Sequence, residues 1–308
     1  MAVRAIPVRC LTLLAARLLL AAPAAVGQEL EPGAYSPAPT GYNIAVLAAS
    51  HSAGDVAFDP ATAATDTTAR VTATAAAYVR SFAAAGRSAS IALAVPYVDG
   101  SADGLYLGAP ASAHRSGLAD PSLRLAINLY GAPAMTPREF AQYRRDTVVG
   151  ASLVMVGPFG SYDRTKIVNI GANRVSVRPE LGVSQALGRF TLESDLGIWI
   201  YGDNRDYSGG RTRAQEPIGS LQGHVIYTLY PRAWLALDAN YYLGGRVTVN
   251  GHQTAAAQHN SRVGATLAVP LARGQSIKFA YSRGARVTIG GDFSTYALTY
   301  QVGWADRR

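Results

Sequence analysis

Cysteine is nearly missing from this 308-residue chain: there is one, Cys10. Charged residues are sparse at 16%, and past the first 27 residues no run of 18 apolar residues occurs, although 49% of the chain is hydrophobic. Each absence excludes something. Without a thiol beyond position 10 there is no disulfide framework and no cysteine-held metal. Without a long apolar run there is no membrane helix. Helical periodicity is almost absent, and neither an HExxH pair nor a phosphate-cradling glycine loop is present. The formal net charge of +8 is spread along the chain and not gathered in a block, which argues against a nucleic-acid-binding arm.

The stretch before Gln28 has a basic start at Arg4 and Arg9, an apolar middle from Leu11 to Ala25, and small residues at Ala25 and Gly27. These are the three parts of a secretory signal, so residues 1–27 are expected to be cleaved. Cys10 would leave with them and does not sit where a lipid-anchored cysteine would. Losing Arg4, Arg9 and Arg17 lowers the net charge from +8 to +5.

From Gly41 onward, segments of about ten residues alternate in hydrophobicity with period two, separated by Gly, Pro, Asn and Asp clusters. Twelve are expected, at 42–50, 71–82, 88–97, 121–130, 147–156, 174–185, 190–201, 218–229, 234–243, 261–269, 275–283 and 295–304. Short links at 83–87, 186–189, 230–233 and 271–274 take turns with long ones near 51–70, 98–120, 157–173 and 202–217. Short periplasmic turns and long external loops produce that rhythm in an outer-membrane barrel. The faces agree. Around Phe190–Tyr201, Leu192, Leu196, Ile198 and Ile200 share one face, while Thr191, Glu193, Asp195, Trp199 and Tyr201 share the other. A soluble sandwich explains a few such strands; twelve in succession fit lipid outside and a polar lumen inside. The expected fold is all-β, a transmembrane antiparallel barrel of about twelve strands over 42–308, in the outer membrane and in contact with its lipid and lipopolysaccharide.

One turn breaks the short-link rule. In "GAPAMTPREFAQYRRD", Thr136 is a helix N-cap, Pro137 opens the helix, Glu139 closes a capping box, and Met135 with Phe140 forms a staple. A short periplasmic helix is expected, over the barrel mouth or at the lipid interface. The preceding segment, residues 28–41, contains "EPGAYSPAPTG" and has too many prolines for helix or strand. It is expected to be extended, and two destinations stay open: a plug in the lumen led by Tyr35, or a tether.

The stretches "EPGAYSPAPTGYN", "GLADPSLRLAINLYGAPAMTPREF", "NIGANRVSVRPELGVSQALGRFTLESD", "EPIGSLQGHVIYTLYPRAWLALDANYY", "NSRVGATLAVPLARGQSIKFAYSRG" and "GGDF" follow one another in an order and spacing that resemble a bacterial outer-membrane family, the transporters of the MetA-pathway of phenol degradation. The resemblance covers nearly the whole mature chain and is weakest in the first two external loops. It implies a membrane barrel and passage of small hydrophobic or aromatic solutes.

Alternation points Arg124, Asn128, Arg178, Glu180, Glu193, Asp195, Trp199, Tyr201, His224, Asp238, Asn240, Tyr242, Arg262 and Lys278 inward as candidate lumen-lining residues. Charges of both signs either meet a solute or pair with one another, Arg178, Glu180, Glu193 and Asp195 then bracing the wall. Trp199, Tyr201 and Tyr242 either stack a passing ring or fill space. His51, His114, His252 and His259 fall in expected loops, and His252 with His259, seven apart, is only a weak metal signal. No cofactor, metal or catalytic centre is expected, and no nucleic-acid partner. A passive channel for small hydrophobic or aromatic compounds is the reading, with a narrow polar porin or a closed barrel of structural or adhesive duty as alternatives. Oligomeric state is not legible.

Overall fold

The computed structural model describes residues 30–57, 64–166 and 168–306. The expected signal, residues 1–27, lies outside them. In chain order the strands are β1 (Tyr42–Ala57), β2 (Ala64–Ala84), β3 (Arg87–Tyr106), β4 (Ala109–Leu118), β5 (Ser122–Tyr130), β6 (Thr147–Val156), β7 (Ser176–Leu187), β8 (Phe190–Tyr201), β9 (Asn204–Tyr207), β10 (Arg211–Gln215), β11 (Ile218–Tyr230), β12 (Ala233–Gly244), β13 (Val247–Val249), β14 (His252–Ala255), β15 (Gln258–Ala272), β16 (Gln275–Arg286) and β17 (Gly290–Ala305). A six-residue helix, α1 (Pro137–Gln142), sits between β5 and β6.

Neighbouring strands pair antiparallel around the ring, and β1 meets β17 from Tyr42 opposite Ala305 to Ala57 opposite Gly290, which closes the barrel. β4 and β5 both pair with β3, β5 along Ala89–Ala94 and β4 along Tyr97–Tyr106, so they are two halves of one strand interrupted at 119–121. Counted so, the barrel has twelve strands. Closure satisfies every strand edge at membrane depth, which is what hydrocarbon demands of a β-structure. In β8 burial alternates without a break from Phe190 to Ile200, and Leu196 is 63% exposed while Asp195 is 2% exposed. Exposed Leu47, Leu93, Leu181, Leu221, Leu237 and Phe279 continue the same outer band around the ring.

Most of the expected external loops are strand instead. Residues 51–57 and 64–70 prolong β1 and β2, and 98–106 with 109–118 make a paired extension of β3 and β4. Within 202–217 lies the β9–β10 hairpin, which joins β13 and β14 in a separate four-stranded sheet ordered β14-β13-β10-β9. His51, His114, His252 and His259 are accordingly strand residues. The pattern of hydrophobic alternation ends where lipid ends, but pairing continues, because backbone groups gain from a ladder on either side of the interface.

At the other end, α1 carries the expected capping box: Thr136 Oγ1 accepts from Glu139 N, and Glu139 Oε2 accepts from Thr136 N at 2.7 Å. Those backbone and side-chain bonds to Thr136 hold the Glu139 carboxyl below its ordinary range. Met135 is buried beneath it and α1 itself buries nothing. The periplasmic rim is tied by Asp306, whose carboxylate accepts from Asn43 Nδ2 at 2.9 Å and pairs with Arg80 at 2.7 Å.

Candidate functional site: the barrel lumen

The segment before β1 enters the lumen. Thr40 N donates to Met135 O at 2.8 Å, Ser81 Oγ donates to Pro39 O, and Ser88 Oγ donates to Ala38 O at 3.3 Å, which fixes the prolines at the periplasmic mouth. Deeper in, Tyr35 is 4% exposed, and its hydroxyl donates to Glu180 Oε1 at 3.0 Å and lies 3.1 Å from Ser152 Oγ. Its ring lies against Gly150 of β6 and Gly182 of β7, where a Cβ on either would collide with it. Glycine at an inward strand position is the usual mark of such a close approach.

The backbone of the segment is held as firmly as its side chain. Gly33 N donates to Glu193 Oε2 at 2.6 Å, Arg124 Nη1 donates to Ala34 O at 3.3 Å, and Arg145 Nη2 donates to Ser36 Oγ at 2.9 Å. Glu31 pairs with Arg178 at 3.3 Å. Prolines explain why this segment has carbonyls and side chains to offer but few N–H groups needing a strand partner.

Of the candidate residues, Arg178 and Glu180 pair on one strand at 3.5 Å. Glu193 and Asp195 take partners on other elements. Glu193 accepts from Gly33, from Ser184 at 2.9 Å and from Arg145 at 3.4 Å, while Asp195 faces His224 at 3.8 Å. His224 Nδ1 lies 2.7 Å from Asp238 Oδ1, and Thr266 donates to Asp238 Oδ2 at 2.9 Å. Asn240 Oδ1 accepts from Arg262 N, and Arg262 reaches Phe293 O at 2.9 Å and Ser282 Oγ at 3.1 Å. Trp199 stacks on Tyr201 with centroids 6.2 Å apart and planes 10° apart, and packs with Tyr242, which is 1% exposed. Arg124 lies 5.2 Å over the Tyr35 ring and 4.0 Å from Glu180. Asn128 is buried on the inner face of β5, and Lys278 is half-buried opposite Thr299.

Sequence reasoning passed over Arg145, Ser152, Thr266 and Glu31. Their signal was present only in pairs: Ser152 and Ser184 share the inward parity of Gly150 and Gly182. Among the described residues no group of His, Cys, Asp and Glu is arranged to hold a metal.

The two sides of the lumen differ. From β7 to β12 the inner positions are buried, carry the charges above, and face the segment. Along the middle of β1, β2 and β3 the inner positions Ile44, Val46, Ala48, Val71, Ala73, Ala75, Ala77, Val79, Ala92 and Ala94 are half-buried and uncharged, with Ser50 and Ser90 as the half-buried polar residues among them and Asn43, Ser52, Ser81 and Ser88 buried towards the ends. Half-burial inside a barrel means these side chains border open space that the segment leaves unfilled.

An outer membrane channel from Pseudomonas putida F1 superimposes with a TM-score of 0.76 at 20% identity, covering 90% of this chain and 100% of that one. The beta domain of the Bordetella autotransporter BrkA gives a TM-score of 0.48 at 10% identity over 85% and 99% of the two chains. The KdgM porin gives 0.45 at 8% identity over 83% and 98%. Comparison with curated proteins gives no match. With residues 49–301 matching the family described as "Putative MetA-pathway of phenol degradation", and with this closed barrel and its apolar outer band, the chain belongs to that family and resides in the outer membrane of a Gram-negative bacterium.

Proposed function

We propose that this protein is a passive channel that carries small hydrophobic or aromatic solutes through the outer membrane, after cleavage of residues 1–27, and that it performs passage and not catalysis. The observation that carries this reading is the unlikeness of the two lumen walls. A water-filled polar porin needs polar groups all round, since a hydrated ion gains nothing from alanine and valine. Here the polar wall is engaged by residues 31–36, and the half-buried wall along β1–β3 is mainly alanine and valine. An aromatic ring sliding along Val71–Val79 loses water from both surfaces, which favours its partition into the path. The mixed-charge wall then serves mainly to hold the segment in place.

Single-channel recording of the refolded mature protein in a planar bilayer, with and without benzoate, tests the reading. Small, steady steps that benzoate reduces are expected. Large steps indifferent to benzoate would make it a polar porin, and a silent barrel that also fails to admit benzyl alcohol into liposomes would make it a structural barrel.

A further inference from the structure

Above the segment, towards the external sheet, arginines and aromatic rings alternate. Arg178 lies 5.1 Å over Trp199; Trp199 stacks on Tyr201; Arg174 lies 4.3 Å over Tyr201; and Arg211 and Arg213 lie 5.6 and 5.9 Å over Tyr207. The lowest of these arginines has its carboxylates, Glu31 and Glu180. The upper ones differ. Arg174 is 5% exposed, donates through Nη2 to Gln215 Oε1 at 2.5 Å, and leaves Nε and Nη1 with no partner. Asp203 and then Asp120 act on Arg174 from a distance without an ion pair to it, and the Asp120 carboxylate is occupied by the N–H groups of Gly160 at 2.8 Å and Ala172 at 2.7 Å. Arg213 lies among the rings of Tyr207, Tyr201 and Tyr162.

Two guanidinium groups thus sit near each other among aromatic rings, and among the described residues neither makes an ion pair with a carboxylate. Burial, and then the like charge of Arg213, push the Arg174 guanidinium down to about 10. Guanidinium recognises a carboxylate through two parallel N–H bonds, and the rings that already lie under the guanidiniums would flank an aromatic body. A phosphate or sulfate would use the cations but leave the rings idle. A neutral phenol would use the rings but leave the cations uncompensated.

We propose that Arg174 and Arg213, with Tyr201 and Tyr207, form an entrance site that selects aromatic carboxylates from the external medium. This rests on the channel reading and narrows its solute class to the anionic aromatics.

The test is isothermal titration of the folded mature protein in detergent micelles with benzoate, phenol and cyclohexanecarboxylate, alongside quenching of tryptophan fluorescence. Benzoate is expected to bind saturably, with phenol and cyclohexanecarboxylate each weaker by about tenfold. Arg213→Gln and Arg174→Gln are each expected to weaken benzoate by about tenfold while leaving phenol unchanged. Should Arg174→Gln fail to fold, judged by heat-dependent gel mobility, Arg213→Gln on the external hairpin decides. Benzoate binding no tighter than phenol, or full affinity in the Arg213→Gln variant, overturns the proposal. The channel reading is separable: conducting steps without benzoate binding sink the entrance site alone, whereas benzoate binding to a silent, impermeable barrel keeps the site and sinks the channel.

Discussion

The wall made by β6–β8 and the wall made by β1–β3 are built from strands of the same period and the same lipid-facing leucines, yet their inner faces have opposite fates. On β7, Arg178, Glu180, Gly182 and Ser184 are each closed off by the segment or by one another; on β2, Val71 to Val79 stay half-open. Charge inside a narrow lumen has to find a partner, because desolvation costs several kcal/mol per ion otherwise. The segment supplies such partners and so adheres to the charged side. Alanine and valine make no such demand, and the path remains beside them. An asymmetric lumen needs only one charged wall and one covalently attached strip of chain to cover it.

The largest expected effect breaks the distinction between faces. Leu196→Arg places a charge in hydrocarbon at a cost of about 2–4 kcal/mol and should abolish assembly, whereas Ala75→Arg points into the open side and should assemble. Heat-dependent gel mobility of the two variants reads this directly, and equal assembly would undo the face assignment. Next, Gly182→Val removes the seat of the Tyr35 ring, with overpacking worth about 1–3 kcal/mol. Release of the segment should raise conductance and expose residues 31–36 to protease, while Ala75→Val should change neither. If both substitutions acted alike, the two walls would not differ.

Glu193→Gln is a milder probe of the same seat. It weakens the acceptor for Gly33 N–H and Arg145 by about 1–3 kcal/mol. Hydrogen exchange at Gly33 should quicken, with the barrel amides of β1–β3 unaffected. Smallest of all is the rim. Hydrogen bonds from Asn43 and then Arg80 hold the Asp306 carboxyl below its ordinary range. A lowered folded-state value stabilises above the ordinary carboxylate range and is lost as pH falls through the depressed one. The wild-type melting temperature should therefore drop slightly more than that of Asp306→Asn on acidification below about pH 4.

Much of the barrel was legible because hydrocarbon imposes a pattern on every spanning strand: Leu196 beside Asp195 reveals its direction without any partner in view. The capping box around Thr136 and Glu139 was legible for the same reason, being complete within four residues. The external hairpins were not, since β9, β10, β13 and β14 are only three to five residues long, too short for an alternation to announce them. Nor was the destination of the segment. Prolines declare an extended chain but not where it goes, and Tyr35 gains its meaning only from Gly150 and Gly182, more than a hundred residues away. Of the charges expected to brace the wall, Arg178 and Glu180 pair with each other, while the partners of Glu193 and Asp195, Gly33 N–H, Arg145 and His224, lie on other elements and could not be read from the strand alone.

The lodged segment is joined to β1 through only a few residues beyond Tyr35, so it is never diluted away from its seat. A short link of this kind confers an effective concentration in the millimolar range. Any solute that would use the charged wall meets a resident competitor at that concentration, whatever the solute's own level outside. Selection in this lumen is then a matter of competition as well as of width: compounds able to travel along alanine and valine pass without contest, and those that need the arginines and glutamates must first displace a piece of the protein itself.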